Sequence, residues 1–221
     1  MLRRLHSVQP SSFKFTASNL KWVKNQIKKY PQGRQASAVI PVLWRAQEQE
    51  GWISRPAIEC VAEILKMAPI RVFEIASFYY MFQLSPVGKI AHIQVCGTTP
   101  CMLRNSEELI SVCKEKISKR SHEISEDGNL SWEEVECLGA CANAPACQIG
   151  KDYYEDLSKE SFLKLLDDLL AGKIPRPGSQ IDRFSSEPSS GCTSLKGKKE
   201  KKFNASIEAA LNLKDTISRI G

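Results

Sequence analysis

Two closely spaced pairs of cysteines constrain what this chain can fold into. Cys96 and Cys101 lie in "CGTTPC", Cys137 and Cys141 lie in "CLGAC", and 35 residues separate the two pairs. Each pair forms a local clip, but a site that uses all four thiols requires the fold to bring two distant loops together. We therefore expect a bound group between these loops.

The length and hydropathy of the chain limit where these thiols can act. The 221 residues allow one large domain or two small ones. No apolar run approaches the roughly 20 residues that cross a bilayer, and the start lacks a signal-peptide pattern. We therefore expect neither export nor direct membrane insertion. In a reducing compartment, clustered thiols more often hold a metal or do redox chemistry than form structural disulfides.

The distribution of charge argues against nucleic-acid binding. The net charge is +6, yet residues 1–172 carry 21 basic and 20 acidic side chains, whereas residues 173–221 carry 10 and 5. A protein that binds phosphates normally has a basic face on its folded domain. We therefore predict no nucleic-acid partner and interpret the basic tail as a solvated end.

Helical patterns dominate the first part of the chain. From Asn19 onward apolar residues recur at helical spacing, a second helix ends at Gly51, and Pro56 opens a third. The predicted organisation is a basic segment over residues 1–16, followed by a helical subdomain of three or four short helices over residues 17–85.

The pattern changes to α/β in the second part of the chain. "IAHIQVC" and "LSWEEVEC" predict strands that lead to the two cysteine pairs, and "ACQIGKDYYEDL" predicts a hairpin that turns at Gly150. A helix between the strands begins at Asn105 or Ser106, and "SKESFLKLLDDLLAG" predicts a helix capped by Ser158. This order of elements predicts a small thioredoxin-like α/β layer over residues 86–178.

Residues 179–221 are predicted to form a mostly disordered, lysine-rich tail. From Pro175 the sequence is rich in Pro, Gly, Ser and Lys, which bury too little apolar surface to offset the entropy of ordering. The run "SIEAALNLKDTI" predicts a short amphipathic helix near the end of this tail.

The spacing of the cysteines permits two kinds of bound group. Four thiolates can bind either zinc or an iron–sulfur cluster, and zinc pairs with two to four intervening residues are common. Loops with small residues such as Gly97 and Gly139 favour an iron–sulfur cluster, because they let backbone N–H groups approach its negative charge. A zinc-stabilised interaction module without redox activity stays open. A dithiol oxidoreductase fits less well, since the chain has no Cys-x-x-Cys motif.

The two cysteine loops resemble those of a known family. "VCGTTPCMLR" and "VECLGACANAPACQIGKDYYEDL" are similar to the cluster loops of the small iron–sulfur subunit of the NADH dehydrogenase module of respiratory complex I, a thioredoxin-like [2Fe-2S] ferredoxin. "GRQASAVIPVLWRAQEQEGW" and "ASFYYMF" resemble its helical amino-terminal part, and the resemblance covers about residues 13–178. It departs from the family at Cys147, where an aliphatic residue or Met is common, and in the lysine-rich tail after Ser189.

This resemblance implies a helical amino-terminal bundle followed by a thioredoxin-like [2Fe-2S] ferredoxin domain. Cys96 and Cys101 would ligate one iron, and Cys137 and Cys141 the other, in one cluster per chain. The chain would then be an electron-transfer subunit of NADH:quinone oxidoreductase that is not catalytic alone. Its partners would be a flavoprotein subunit carrying FMN and NADH and other peripheral-arm subunits. The equivalent subunit of an NAD-linked hydrogenase or formate dehydrogenase is the alternative.

The start of the chain bears on the expected location. No acidic residue precedes Glu48, and "MLRRLHSVQPSS" has the Arg and Ser bias of a mitochondrial transit peptide, but periodic sequence follows almost at once. We therefore expect a peripheral arm on the cytoplasmic face of a bacterial inner membrane, with the matrix side of the mitochondrial inner membrane as the alternative. The chain has no Gly-rich strand-to-helix loop for a dinucleotide, so NADH and FMN are expected on the partner.

The remaining cysteines and one histidine are predicted to be structural. Cys60 and Cys113 lie on apolar helix faces and Cys147 lies in a predicted strand, so core packing is expected for all three. Cys192 in the tail is interpreted as an incidental thiol. His92 is expected to be structural, because neither cysteine loop contains the histidines of a Rieske site.

Overall fold

The structure of the protein is a computed structural model that describes residues 3–194 and 203–213. It divides into two compact units, Met1–Val87 and Gly88–Gly221. The lysine-rich run at residues 196–202 lies outside the described residues. Within the part of the chain that is described, no helix is long and apolar enough to cross a membrane.

The first unit is helical, as the sequence predicted. Its α-helices are α1 (Ala17–Ile27), α2 (Val39–Glu50), α3 (Arg55–Leu65) and α4 (Pro69–Phe78), with a short 3-10 helix at Gln35–Ala38. The side chains of Thr16 and Ser54 cap α1 and α3, because each accepts a hydrogen bond from a backbone N–H that would otherwise lack a partner. Gly51 ends α2 with a φ of 85°, which a glycine adopts without strain.

The core of this unit is built from one apolar stripe of each helix. Val23 of α1, Leu43 of α2, Val61 of α3 and Val72 of α4 are completely buried. Trp44 is partly buried and packs against this core. The first unit therefore holds its own hydrophobic core.

The second unit confirms the predicted α/β class. Its elements are β1 (Ala91–Cys96), α5 (Thr99–Met102), α6 (Ser106–Lys116), β2 (Leu130–Val135), β3 (Cys147–Ile149), β4 (Asp152–Glu155), α7 (Lys159–Leu170), β5 (Gly178–Ser179) and α8 (Ala205–Leu213). The predicted strands, the hairpin at Gly150 and the start of α7 after Ser158 are all present. Two further elements, α5 and β5, were not predicted from the sequence.

The five strands form one mixed sheet in the order β2-β1-β3-β4-β5. β1 is parallel to β2 and antiparallel to β3, β3 is antiparallel to β4, and β4 is parallel to β5. In the parallel pair, Cys96 at the end of β1 lies opposite Val135 at the end of β2. Because parallel strands end at the same edge of a sheet, both cysteine loops leave the sheet there.

Alternation along β1 separates the core from the opposite face of the sheet. Ile93 and Val95 are completely buried and belong to the core that α6 and α7 help to form. Val112 of α6 and Phe162 of α7 contribute to the same core. His92, between the apolar positions of β1, lies on the other face.

The chain after Pro175 differs from the prediction of a disordered tail. β5 pairs with β4, and beyond it Arg183 forms a buried ion pair with Asp156 at 2.7 Å. The composition of this segment offers little apolar surface, but strand pairing and charged hydrogen bonds hold it in place. The first part of the predicted amphipathic helix is present as α8, which buries Ile207, and residues 214–217 of the predicted run lie outside the described residues.

Truncation of Phe162 tests the core of the second unit. We expect Phe162→Ala to lower the free energy of unfolding by about 3–5 kcal/mol, because the ring is fully buried and its removal leaves a cavity. Leu170→Ala at the exposed end of the same helix should change it by about 0.5 kcal/mol or less. Urea denaturation of the full chain measures both values, and equal effects would contradict the assigned core.

Candidate metal centre

The first pair of thiols is buried at the carboxyl end of β1. Cys96 ends the strand, Cys101 lies in α5, and each is 2% exposed. Each of the two thiols shifts the pKa of the other. Together with Ala144 they form a small buried cluster against which Leu138 packs. One short helical turn thus brings the two sulfurs together in a protected position.

The second pair lies exposed on the loop after β2. The Sγ atoms of Cys137 and Cys141 are 4.0 Å apart. Two thiolates on one tetrahedral metal ion with bonds of about 2.3 Å lie about 3.8 Å apart, so this pair is already close to the spacing for a shared ion. Gly139 allows the tight loop, since its φ is 76° and its N–H donates to the Cys137 sulfur at 3.3 Å.

The two pairs converge at the edge of the sheet. The negative charge of Cys141 adds to the rise in the pKa of Cys101, and the negative charge of Cys96 adds to the rise in the pKa of Cys141. Tyr153 of β4 borders the same site, and its pKa is raised by burial first, then by Glu155 and by nearby thiolates. The two pairs therefore lie on loops at the same edge of the sheet, one pair buried and the other exposed.

Hydrogen bonds make the two buried thiols unequal. Burial by itself raises the pKa of Cys96, but hydrogen bonds from the hydroxyl and N–H of Thr98 and from the N–H of Leu138 lower it below its usual value. Burial, and then the hydrogen bond with Cys96, raises the pKa of Cys101 to about 11, although the Ala146 N–H opposes this. Cys96 is therefore the thiol of this pair that ionises first.

The donor set fits a [2Fe-2S] cluster in its chemistry. It offers four soft thiol ligands in two pairs, and the backbone N–H of Gly139 donates to the sulfur of Cys137. Such N–H groups stabilise negative charge without added cations. Among residues 3–194 and 203–213, no group of three or more Cys, His, Asp or Glu side chains is arranged to hold a single metal ion.

Two neighbours of the first pair carry different constraints. The Thr98 hydroxyl lies 3.3 Å from the Cys96 sulfur, a contact that the sequence analysis did not foresee. A Cβ at Gly97 would meet the exposed side chain of Glu134 on β2, which would have to move aside.

The other cysteines lie away from the thiol pairs. Cys147 is completely buried in the core beside Cys113, and burial raises the pKa of both, that of Cys113 to about 12. Cys60 packs against the core of the helical unit, and Cys192 is exposed. These positions agree with the predicted core packing of the first three and with an incidental thiol in the tail.

His92 is a satisfied structural residue, as predicted. Its Nδ1 lies 2.7 Å from the Ser131 hydroxyl and its Nε2 lies 3.1 Å from a carboxylate oxygen of Glu133, both on β2. Both ring nitrogens therefore have partners inside the sheet.

Comparisons with known proteins point to one family. The family profile for thioredoxin-like [2Fe-2S] ferredoxins matches residues 23–170. An E subunit of NADH-quinone oxidoreductase from Rhizobium meliloti, the one numbered 1, is 53% identical over 213 residues, covering 95% of this chain and 78% of that protein. The corresponding E subunit from Rickettsia bellii is 49% identical over 160 residues, covering 72% of this chain and 95% of its own length.

Solved structures share the fold at lower identity. A crystal structure of an NAD+-reducing [NiFe]-hydrogenase in the H2-reduced state aligns with a TM-score of 0.55 and 19% identity over 62% of this chain. The match spans only 23% of the hydrogenase chain. This likeness supports the fold of the present chain.

Serine substitutions test the assignment of the four thiols. We expect Ser at Cys96, Cys101, Cys137 or Cys141 to reduce bound iron strongly, because each change removes one thiolate from a proposed set of four. Cys147→Ser should retain iron, since that thiol lies in the core. Iron content per chain and visible absorption measure the outcome. A folded but iron-free Cys147→Ser protein would show that the ligand set is wrong.

Proposed function

The chain belongs to the family of thioredoxin-like [2Fe-2S] ferredoxins that includes the E subunits of NADH-quinone oxidoreductase, and we propose that it is an electron-transfer component of such a complex. The observation that carries this proposal is that the two loops bearing the thiol pairs leave the sheet at the same edge. Identity of 53% over nearly the whole chain supports the same assignment.

In this proposal Cys96 and Cys101 hold one iron of a single [2Fe-2S] cluster, and Cys137 and Cys141 hold the other. When bound, such a cluster supplies one-electron transfer. A hydride donor gives two electrons at once, so a flavin is needed between the donor and the cluster. The chain provides the ligands, the N–H groups that stabilise charge on sulfur and a buried side that excludes water.

The unequal exposure of the pairs suggests how a partner approaches. Cys137 and Cys141 are exposed, whereas the first pair is buried, so the second pair offers the shorter path to a docked protein. Met102 and Leu103, directly after Cys101, are 43% and 73% exposed and offer apolar contact area beside the site. We propose that the flavoprotein partner docks against the surface that carries Cys137, Cys141, Met102 and Leu103.

The partner in this proposal carries FMN and binds NADH. The sequence contains no Gly-x-Gly motif, so a Gly-rich phosphate loop for either ligand is missing from this chain. We place the assembly in the peripheral arm of a respiratory complex, with other arm subunits as further neighbours. The cytoplasmic face of a bacterial inner membrane stays the proposed location.

The response to NADH tests this division of labour. The purified full chain, expressed with cluster assembly, should contain about two irons, absorb visible light and be bleached by dithionite. NADH alone should leave the absorption unchanged, because the chain lacks a flavin to divide the hydride into single electrons.

Adding the flavoprotein partner should make NADH effective in the same cuvette. Rapid bleaching of the flavin-free chain by NADH would overturn its role as a carrier. A colourless protein that contains one zinc per chain would instead favour the zinc-stabilised interaction module.

A further inference from the structure

The loop that carries Cys141 is held by a distant segment of the chain. We call residues 178–187 the C-terminal strap. Arg183 of this strap donates through Nη1 to the Ala142 carbonyl at 3.1 Å. The side-chain amide of Asn143 donates to the Ser185 carbonyl at 2.9 Å. The two residues that follow Cys141 are thus both bound to the strap.

Asp156 forms the other half of this arrangement. Its carboxylate pairs with Arg183 Nη1 at 2.7 Å, and the two side chains are only 6% and 11% exposed. Its backbone N–H donates to the Asn143 carbonyl at 2.7 Å. Its Oδ2 atom is buried without a hydrogen-bond partner among the described residues. The carboxylate therefore depends on Arg183 for compensation of its charge.

The strap itself is anchored on the sheet, which gives Arg183 a defined position. Ser179 pairs with Glu155 in the parallel register of β5 with β4. Its buried hydroxyl accepts the N–H of Arg183 at 3.2 Å. Arg183 also donates through Nε to the Glu187 carbonyl at 2.7 Å. The planar guanidinium of an arginine can donate hydrogen bonds to these partners at the same time, and the ammonium group of a lysine cannot.

We propose that Arg183 is a positioning residue for the second thiol pair. By linking the carboxylate of Asp156 to the carbonyl of Ala142, it fixes the exposed loop at the spacing that Cys137 and Cys141 need to bind together. Its guanidinium donates to the carbonyl of Ala142, so it acts through the backbone next to Cys141. The inference gives a role to a segment whose composition predicted disorder.

This inference rests on the proposed function for the identity of the bound group, but the positioning of the loop does not require that group. The first experiment therefore uses the cluster-free full chain and measures hydrogen exchange of the peptide that covers residues 137–144. Arg183→Gln should speed exchange there by about tenfold or more, while the amides of α6 keep their protection. Arg120→Gln, which removes an exposed arginine of the same unit, should change neither region.

Conservative and paired variants test whether the ion pair carries the effect. Arg183→Lys should restore part of the protection, because it keeps the charge but loses the fork. Asp156→Asn tolerates the φ of 54° at this position and should also speed exchange of the loop. The double variant Arg183→Gln/Asp156→Asn should speed exchange less than the product of the two single effects, since the single changes disrupt one interaction.

A second experiment measures loss of iron from the loaded full chain in the presence of a chelator. Arg183→Gln should lose iron about 10–100-fold faster than the parent protein, with Arg120→Gln unchanged. Unaltered exchange in residues 137–144 overturns the inference, and so does an equal loss of protection in α6, which would indicate a general stabilising role. Failure of the parent chain to bind iron would contradict the proposed function instead, while the exchange result still decides the role of Arg183.

Discussion

The parallel pairing of β1 with β2 is the constraint on which the candidate site depends. Cys96 opposes Val135, and Cys137 follows two residues later, so the two loops start side by side. A register shift of β1 by one residue would turn the side chain of Cys96 to the opposite face of the sheet. It would also turn Val95 out of the core. Burial of Ile93 and Val95 in the core opposes that shift, so hydrophobic packing fixes the position of the thiols.

The two sides of the site are held by different forces. Secondary structure holds the first pair, because Cys96 ends β1 and Cys101 lies in the short helix α5 that follows. Apolar burial and backbone N–H groups position these sulfurs, and the hydrogen bonds lower the cost of ionising Cys96. The second pair lies on an exposed loop, where a buried ion pair with the C-terminal strap takes over this task. Exposure and order can therefore coexist on the side where a partner would dock.

Local signals in the sequence predicted much of this architecture. A run rich in β-branched and apolar residues indicated β1. A serine cap marked the start of α7, where Ser158 and Ser161 form a capping box. Such features depend on residues close in sequence and so can be read without a fold. α5 was missed because it is a single turn of four residues, and β5 because a two-residue strand has no periodicity.

The sequence by itself determined the α/β class, the two cysteine pairs and the separation of a helical unit from a sheet unit. Those properties follow from spacing and hydrophobic periodicity, which act over a few residues. Only the tertiary structure decided that Cys147 packs beside Cys113 in one core and that Arg183 reaches the loop of Ala142. Such contacts join residues far apart in the chain, and their free energy comes from burial and pairing that exist only once the sheet has formed.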